Sequence, residues 1–333
     1  VFTEIDSVLE RFDYENGGIG GAPKFPSETE LALLLTRHEP GGDAELLEMV
    51  THSLTEMARG GIHDHLAGGF HRYATDARWR VPHFEKMLYN QAQLAIVYSH
   101  AYSITGDPLY RQVARDILGF VDAAMTSPDG AFYSALDSET HAEEGKSYLW
   151  TEKDITDALG AHAGEFLALY SLESMPEGEG RVLFRPARPL TTNGSDTEAR
   201  YAAARGSRET LLAIRDARDQ PLLDTKLITA WNGMMIRAYA VASTALGEPR
   251  YLETAERAAG FVHDALRDEE GLLQRTYRLG RPNGAAYQED YAFLASGFLA
   301  LYEASGKPQH LSRARDLTDT MLATFWDERG GGF

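Results

Sequence analysis

The sequence predicts an all-α fold, a toroid of helical hairpins with a small β-hairpin on one rim. The prediction rests on three very apolar helices, on the joint that links each of them to an amphipathic helix, and on the return of that pair along the chain. Gln91 to Thr105, Ala238 to Leu246 and Phe293 to Ser305 carry apolar or small residues over much of their surface, as helices wrapped by other helices do. Each stops at a glycine, and a proline then opens the next helix: Gly106-Asp107-Pro108, Gly247-Glu248-Pro249 and Gly306-Lys307-Pro308. The second helices run to Ala124, Ala265 and Phe325. At 24 or 25 residues beyond each proline stand Phe132, Leu273 and Phe333, each after a glycine-bearing turn. A hairpin unable to bury its inner face alone must stack on neighbours, in a solenoid or a closed ring, and such apolar inner helices favour closure.

The remaining elements follow in order. Ser27-Glu28-Thr29-Glu30 reads as a capping box opening a helix through Arg37, and Asp43 to Arg59 reads as a further helix. Thr151-Glu152-Lys153-Asp154 resembles the same box. Ser147 to Trp150 is expected as a short strand beside Ala131 to Ser134, forming the rim hairpin. Met175 to Asn193, rich in Gly, Pro, Glu and Arg and without a period, reads as a surface loop. Residues 1–333 are expected to form a single domain, and the chain a fragment of a longer protein.

Composition narrows the function. With 43% hydrophobic residues in 333, a substantial core is available. The formal charge of -18 argues against nonspecific binding to nucleic acid or to an anionic membrane, leaving small-molecule or protein partners. Cysteine is absent, which excludes disulfides, thiolate catalysis and cysteine-ligated zinc within this chain. No apolar run of about 18 residues occurs and no signal-like segment opens the chain, so a cytoplasmic protein is expected.

Chemistry concentrates between Gly60 and Asn90. His63, His65, His71 and His83 lie close together with Asp64, Asp76, Glu85 and Lys86. Imidazoles and carboxylates supply proton transfer, and Tyr73 and Trp79 supply surfaces for a sugar ring or planar group. The histidine spacing lacks the helical H-E-x-x-H pattern, so no metal and no cofactor are expected. In helical registry His83, Lys86 and Asn90 share one side, and Lys86, at the entry of a buried helix, must find a carboxylate or a ligand. Similar groups open the next inner helices: Trp231 and Asn232, with Thr229 or Asn232 as the cap, and then Glu289 and Asp290, which are also suited to capping. Asp137 adds a carboxylate beside the rim hairpin. His71, His83, Glu85, Lys86, Asp137 and Asp290 are therefore the candidate catalytic residues. Arg72, Tyr73, Trp79, Asn90, Trp231, Asn232 and Glu289 are the candidate ligand contacts in a cleft for a small polar molecule.

Five motifs then carry a resemblance. Residues 17–26 (GGIGGAPKFP), 68–73 (GGFHRY), 82–89 (PHFEKMLY), 144–151 (EGKSYLWT) and 226–233 (KLITAWNG) together resemble the thioredoxin-domain-containing family related to spermatogenesis-associated protein 20. Ile19 stands where that family usually has Phe, and Asp224-Thr225-Lys226 where Asp-Asp-Lys is common. The resemblance implies an (α/α)6 toroid similar to six-hairpin glycosidases and N-acylglucosamine 2-epimerases, joined in the intact protein to a thioredoxin-like domain. That domain and the last hairpin are expected to be absent from this chain. The implied function is sugar chemistry, hydrolase or epimerase-like, on a mono- or disaccharide; the alternative is a non-catalytic ligand-binding or scaffold module accompanying the thioredoxin-like domain.

Overall fold

The computed structural model describes residues 2–37, 44–176, 178–186 and 202–333. In chain order the helices are α1 (Phe2–Arg11), α2 (Glu28–Arg37), α3 (Ala44–Arg59), α4 (Leu88–Thr105), α5 (Pro108–Ala124), α6 (Glu152–Leu159) and α7 (Ala163–Leu167). They continue as α8 (Arg205–Asp216), α9 (Thr229–Leu246), α10 (Pro249–Ala265), α11 (Gln288–Ser305) and α12 (Pro308–Phe325). Helices dominate, and strands are short additions. The chain divides into two compact units, Val1–Lys86 with Leu136–Leu222, and Met87–Ala135 with Leu223–Phe333. Among the described residues no helix is long and apolar enough to cross a membrane.

The second unit holds the three hairpins predicted from the sequence. Inner helices α4, α9 and α11 end at Gly106, Gly247 and Gly306, whose φ angles of 69°, 69° and 68° lie in the left-handed region that glycine enters without strain. Each outer helix, α5, α10 and α12, takes its proline in the first turn, where no backbone N–H is needed. The turns after the outer helices close alike, with bridges Thr126 to Phe132, Arg267 to Leu273 and Asp327 to Gly332. α9 packs against both α4 and α11. Where α9 meets α11 the backbones come close at Gly233, where an added Cβ would stand 2.5 Å from the Phe293 carbonyl carbon, and at Gly297. An antiparallel pair, Gln274–Arg278 with Arg281–Ala285, joins α10 to α11 and adds Leu227–Ile228 as a third strand.

The first unit packs α2 on α3 and α6 on α8, with Trp150, Ile155, Phe166, Tyr170 and Leu211 in a core. Thr151 and Asp154 form the expected capping box. Ser27 instead directs its hydroxyl to the Phe25 carbonyl, and Glu30 pairs with Arg11 at 2.7 Å. α3 starts at Ala44, and Asp43 lies outside the described residues. The expected pairing of Ser147 to Trp150 with Ala131 to Ser134 does not form: Ser147 and Tyr148 are turn, Trp150 bridges Arg181 and Phe132 bridges Thr126, and the short hairpin is made instead by Glu139–Thr140 and Glu143–Glu144. Part of the expected loop is also a strand: Arg181–Phe184 pairs with Ser171–Ser174 because Val182 and Leu183 are buried there, while residues 187–193 of that loop lie outside the described residues.

Gly233→Ala is expected to lower stability by about 1–3 kcal/mol through overpacking at the helix crossing, read as a lower urea midpoint. Gly119→Ala, on the exposed face of α5 with nothing within 4 Å of the new methyl group, is expected to raise it by about 0.5–1 kcal/mol. Shifts of the same sign and size at both positions would show that close approach is not what Gly233 serves.

Candidate functional site

From Pro82 to Met87 the chain is extended, and helix α4 begins only at Leu88. The shared helical face expected for His83, Lys86 and Asn90 is therefore replaced by strand alternation. His83 and Glu85 point one way and remain part-exposed; Phe84 and Lys86 point the other way and are buried. A pair of bonds in the first unit fixes this segment: Tyr73 pairs with His83, and the Arg72 N–H donates to the Glu85 carbonyl at 2.8 Å.

On the buried side, the Lys86 ammonium donates to Asp64 Oδ2 at 2.7 Å and to the Gly68 carbonyl at 2.9 Å. Asp64 Oδ1 accepts from Arg215 Nη1 at 2.8 Å and from the backbone N–H groups of Leu66 and Ala67 at 3.0 and 3.2 Å. Burial opposes the charge on Asp64, but Arg215 and Lys86 override it and hold the carboxyl well below the usual range. Burial brings Lys86 down to about 8, with Asp64 resisting the fall. The Tyr148 ring lies 5.4 Å from the ammonium and 5.2 Å from the guanidinium and stacks on Phe84. Gly145, with φ 68°, allows that Phe84 ring to sit against its backbone. Lys86, expected as catalytic, is thus committed to an internal ion pair. Its need for an acid was legible in the sequence, whereas its partner Asp64, together with Arg215 and Tyr148, was missed as a site residue.

Three imidazoles share this interior. His63 Nδ1 donates to the Ala58 carbonyl at 3.1 Å, His65 Nε2 to Gly60 at 2.8 Å, and His71 Nδ1 to Phe84 at 2.9 Å. Burial pushes His63 down to about 4, His71 down to about 3 and His65 well below its usual value, so all three are neutral near pH 7. His71, expected as an acid or base, spends its one proton on a backbone bond. Trp79, expected as a stacking surface, is fully buried; its indole donates to the Asn16 carbonyl at 3.0 Å and lies 5.1 Å from the Lys24 ammonium. Among the described residues no grouping of three or more His, Cys, Asp or Glu side chains is arranged to hold a metal ion.

The exposed side of the same strand gathers a different set. His83 Nδ1 lies 3.1 Å from Glu144 Oε1, and its Nε2 lies 3.7 Å from Glu85 Oε2. Glu144 also accepts the Phe84 N–H at 2.8 Å, and Glu85 pairs with Arg72 at 2.9 Å. The His83 ring stacks on Tyr73, which in turn lies tilted against Phe25, with ring centroids 4.9 and 4.8 Å apart. Side-chain exposures of 25% to 40% for Arg72, His83, Glu85 and Glu144 leave this cluster open to a ligand. Glu144 is the carboxylate missed as a site residue; its place 60 residues from Phe84 leaves no local pattern to read. Asp137 is exposed, and its carboxylate accepts from the N–H groups of Ser138 and Glu139 at the foot of the rim hairpin.

In the second unit the candidates serve the helix starts. Asn232 is buried, donates to the Phe132 and Ile228 carbonyls, and accepts the Phe132 N–H at 2.8 Å, which ties a turn to α9 and leaves α9 without a side-chain cap. Thr229 donates its hydroxyl to the Gln274 carbonyl at 2.6 Å. Asp290 caps α11, accepting from the N–H groups of Tyr287 and Ala230 and from Arg275. Glu289 pairs with the same arginine at 2.8 Å. Asn90 is buried in the first turn of α4, and Trp231 meets Tyr89 edge to face with centroids 5.0 Å apart. Buried and fully engaged, Asn232 and Asp290 act as struts of the fold and present no group to a ligand.

No family model matches the sequence. The chain is 36% identical to human spermatogenesis-associated protein 20 over 376 residues and 37% identical to the mouse protein over 375, covering all of this chain and 47% of each relative. The chain is similar along its whole length to spermatogenesis-associated protein 20. It spans about half the length of those curated relatives. Among solved structures, a D-mannose isomerase superposes with a TM-score of 0.64 at 13% identity, covering 99% of this chain and 70% of that one. A family 76 glycoside hydrolase (mannosidase) from Bacteroides thetaiotaomicron superposes with a TM-score of 0.55 at 10% identity, covering 98% and 71%. These likenesses show the fold, that of the helical-hairpin toroid class expected from the sequence.

The buried imidazoles set an acid limit. Between about pH 6.5 and 4 the unfolded chain takes up protons on them that the folded chain refuses, so stability falls as pH falls, by about 1.4 kcal/mol per pH unit for each imidazole. Urea midpoints across this range are expected to drop less steeply for His71→Asn than for the parent chain. An unchanged slope would mean that His71 is not held neutral by burial.

Proposed function

We propose that this protein is a carbohydrate-active enzyme that moves a proton on a mono- or disaccharide through His83, in the manner of an epimerase or isomerase rather than a hydrolase. The observation that carries the reading is the part-exposed His83 imidazole held between Glu144 and Glu85 over the Tyr73 ring. An imidazole is suited to both giving and taking a proton near neutral pH. The flanking carboxylates hold the ring in place, and Arg72 fixes Glu85. Phe25, exposed beside Tyr73, offers an aromatic face for the apolar side of a sugar ring. Hydrolysis is less favoured because the space between the two carboxylates is taken by the His83 imidazole. The solved structures similar in fold include a D-mannose isomerase and a family 76 glycoside hydrolase, which supports a sugar as ligand.

A second reading, a non-catalytic module beside a thioredoxin-like domain in the intact protein, is favoured by one observation. His63, His65 and His71 each commit a ring nitrogen to a backbone carbonyl, which is the signature of structural histidines.

The two readings separate in one experiment on the intact protein, with mono- and disaccharides including mannose screened for isomer formation and for deuterium uptake from solvent. Turnover that falls about 100-fold to 10,000-fold in kcat/KM for His83→Gln is expected. Absence of any sugar turnover by a folded intact protein across the panel would rule out the enzymatic reading.

A further inference from the structure

A cavity of about 20 Å³ lies among the buried groups of the first unit, lined by His63, Asp64, His65, His71, Tyr148 and Arg215 among others. A water needs roughly 10–15 Å³ of such space, whereas drug-sized ligands need about 300 Å³ or more. The volume alone therefore excludes a sugar.

The lining decides the occupant further. His63 is 5% exposed, and its Nδ1 proton is given to the Ala58 carbonyl, so the neutral ring presents a bare lone pair at Nε2. That nitrogen is buried and has no hydrogen-bond partner among the described residues. Arg215, on the same lining, commits Nη1 to Asp64, and its guanidinium carries further N–H groups. An occupant that meets this nitrogen must donate to the imidazole lone pair, and beside the Arg215 guanidinium it gains by accepting as well. A halide or carboxylate only accepts. A metal ion or ammonium would have to lie beside Arg215 and near Lys86, with Asp64 already paired to both. Water does both jobs at the right size.

We infer that this cavity binds one ordered water molecule, which donates a hydrogen bond to Nε2 of His63 and accepts one from Arg215. The water satisfies a buried acceptor that otherwise costs free energy. It also couples the histidine turn to the ion-paired core beneath the strand of His83, independently of whether His83 is catalytic.

High-resolution crystal structures of the intact protein test this, for the parent chain, for a bromide-soaked crystal and for His63→Phe. Phenylalanine keeps the stacking of residue 63 on Phe70, now at 4.8 Å between centroids, but has no lone pair. Expected is a density peak at about 2.7–3.2 Å from both His63 Nε2 and the Arg215 guanidinium, without anomalous bromide signal, and its loss in His63→Phe. An anomalous peak, which would mean an anion, a cavity without density, or a peak out of reach of His63 would each overturn the inference. If His63→Phe fails to fold, imidazole NMR of the parent chain gives the same answer. A cross-relaxation signal from a long-lived water to the His63 ring is expected, and its absence would overturn the inference.

Discussion

The carboxylate of Asp64 is the point on which the first unit depends. Two cations, Lys86 and Arg215, are buried beside it, and neither would tolerate the interior without a counter-charge. Asp64 serves both, one oxygen to each, and its own turn is closed by the Leu66 and Ala67 N–H groups. Three segments distant in sequence are joined at one anion. With Lys86 held inward and Phe84 seated against Tyr148 and Gly145, strand geometry leaves His83 and Glu85 only the outward face.

Structure and chemistry are thereby separated across a single strand. Inside, burial keeps the histidines neutral and their protons are given to carbonyl groups. Outside, His83 meets two glutamates within solvent reach. The second unit shows the same economy in another form: Asn232 and Asp290 are buried polar side chains that satisfy backbone groups at the starts of α9 and α11. Polar residues crowding the mouth of an apolar helix are thus, at these two positions, the means by which the helix is entered.

The hairpins were legible because their signals are local. A glycine in the left-handed region and a proline in the first turn act through the backbone of the residues that carry them, so Gly106, Gly247 and Gly306 could be read directly. The strand at Pro82–Met87 was not, since His83, Lys86 and Asn90 fit a helical period while the alternation that governs the segment needed the burial of Phe84 and Lys86 to be seen. Lys86 announced that it needed an acid. Asp64 and Arg215, 22 and 151 residues from their partners in the ion pairs, could be chosen only by the tertiary fold. Trp79 shows the opposite error, an aromatic read as a ligand platform whose indole is consumed inside the core.

A double-mutant cycle on Asp64 and Lys86, followed by urea unfolding, bears most directly on the role of this ion pair. Asp64→Asn is expected to cost about 3–5 kcal/mol, because it leaves buried cations uncompensated. Combined with Lys86→Met, it is expected to cost less than the two single changes together, by about 0.5–3 kcal/mol. Strictly additive losses, or an Asp64→Asn cost no larger than that of a surface change, would contradict a core organised around this carboxylate.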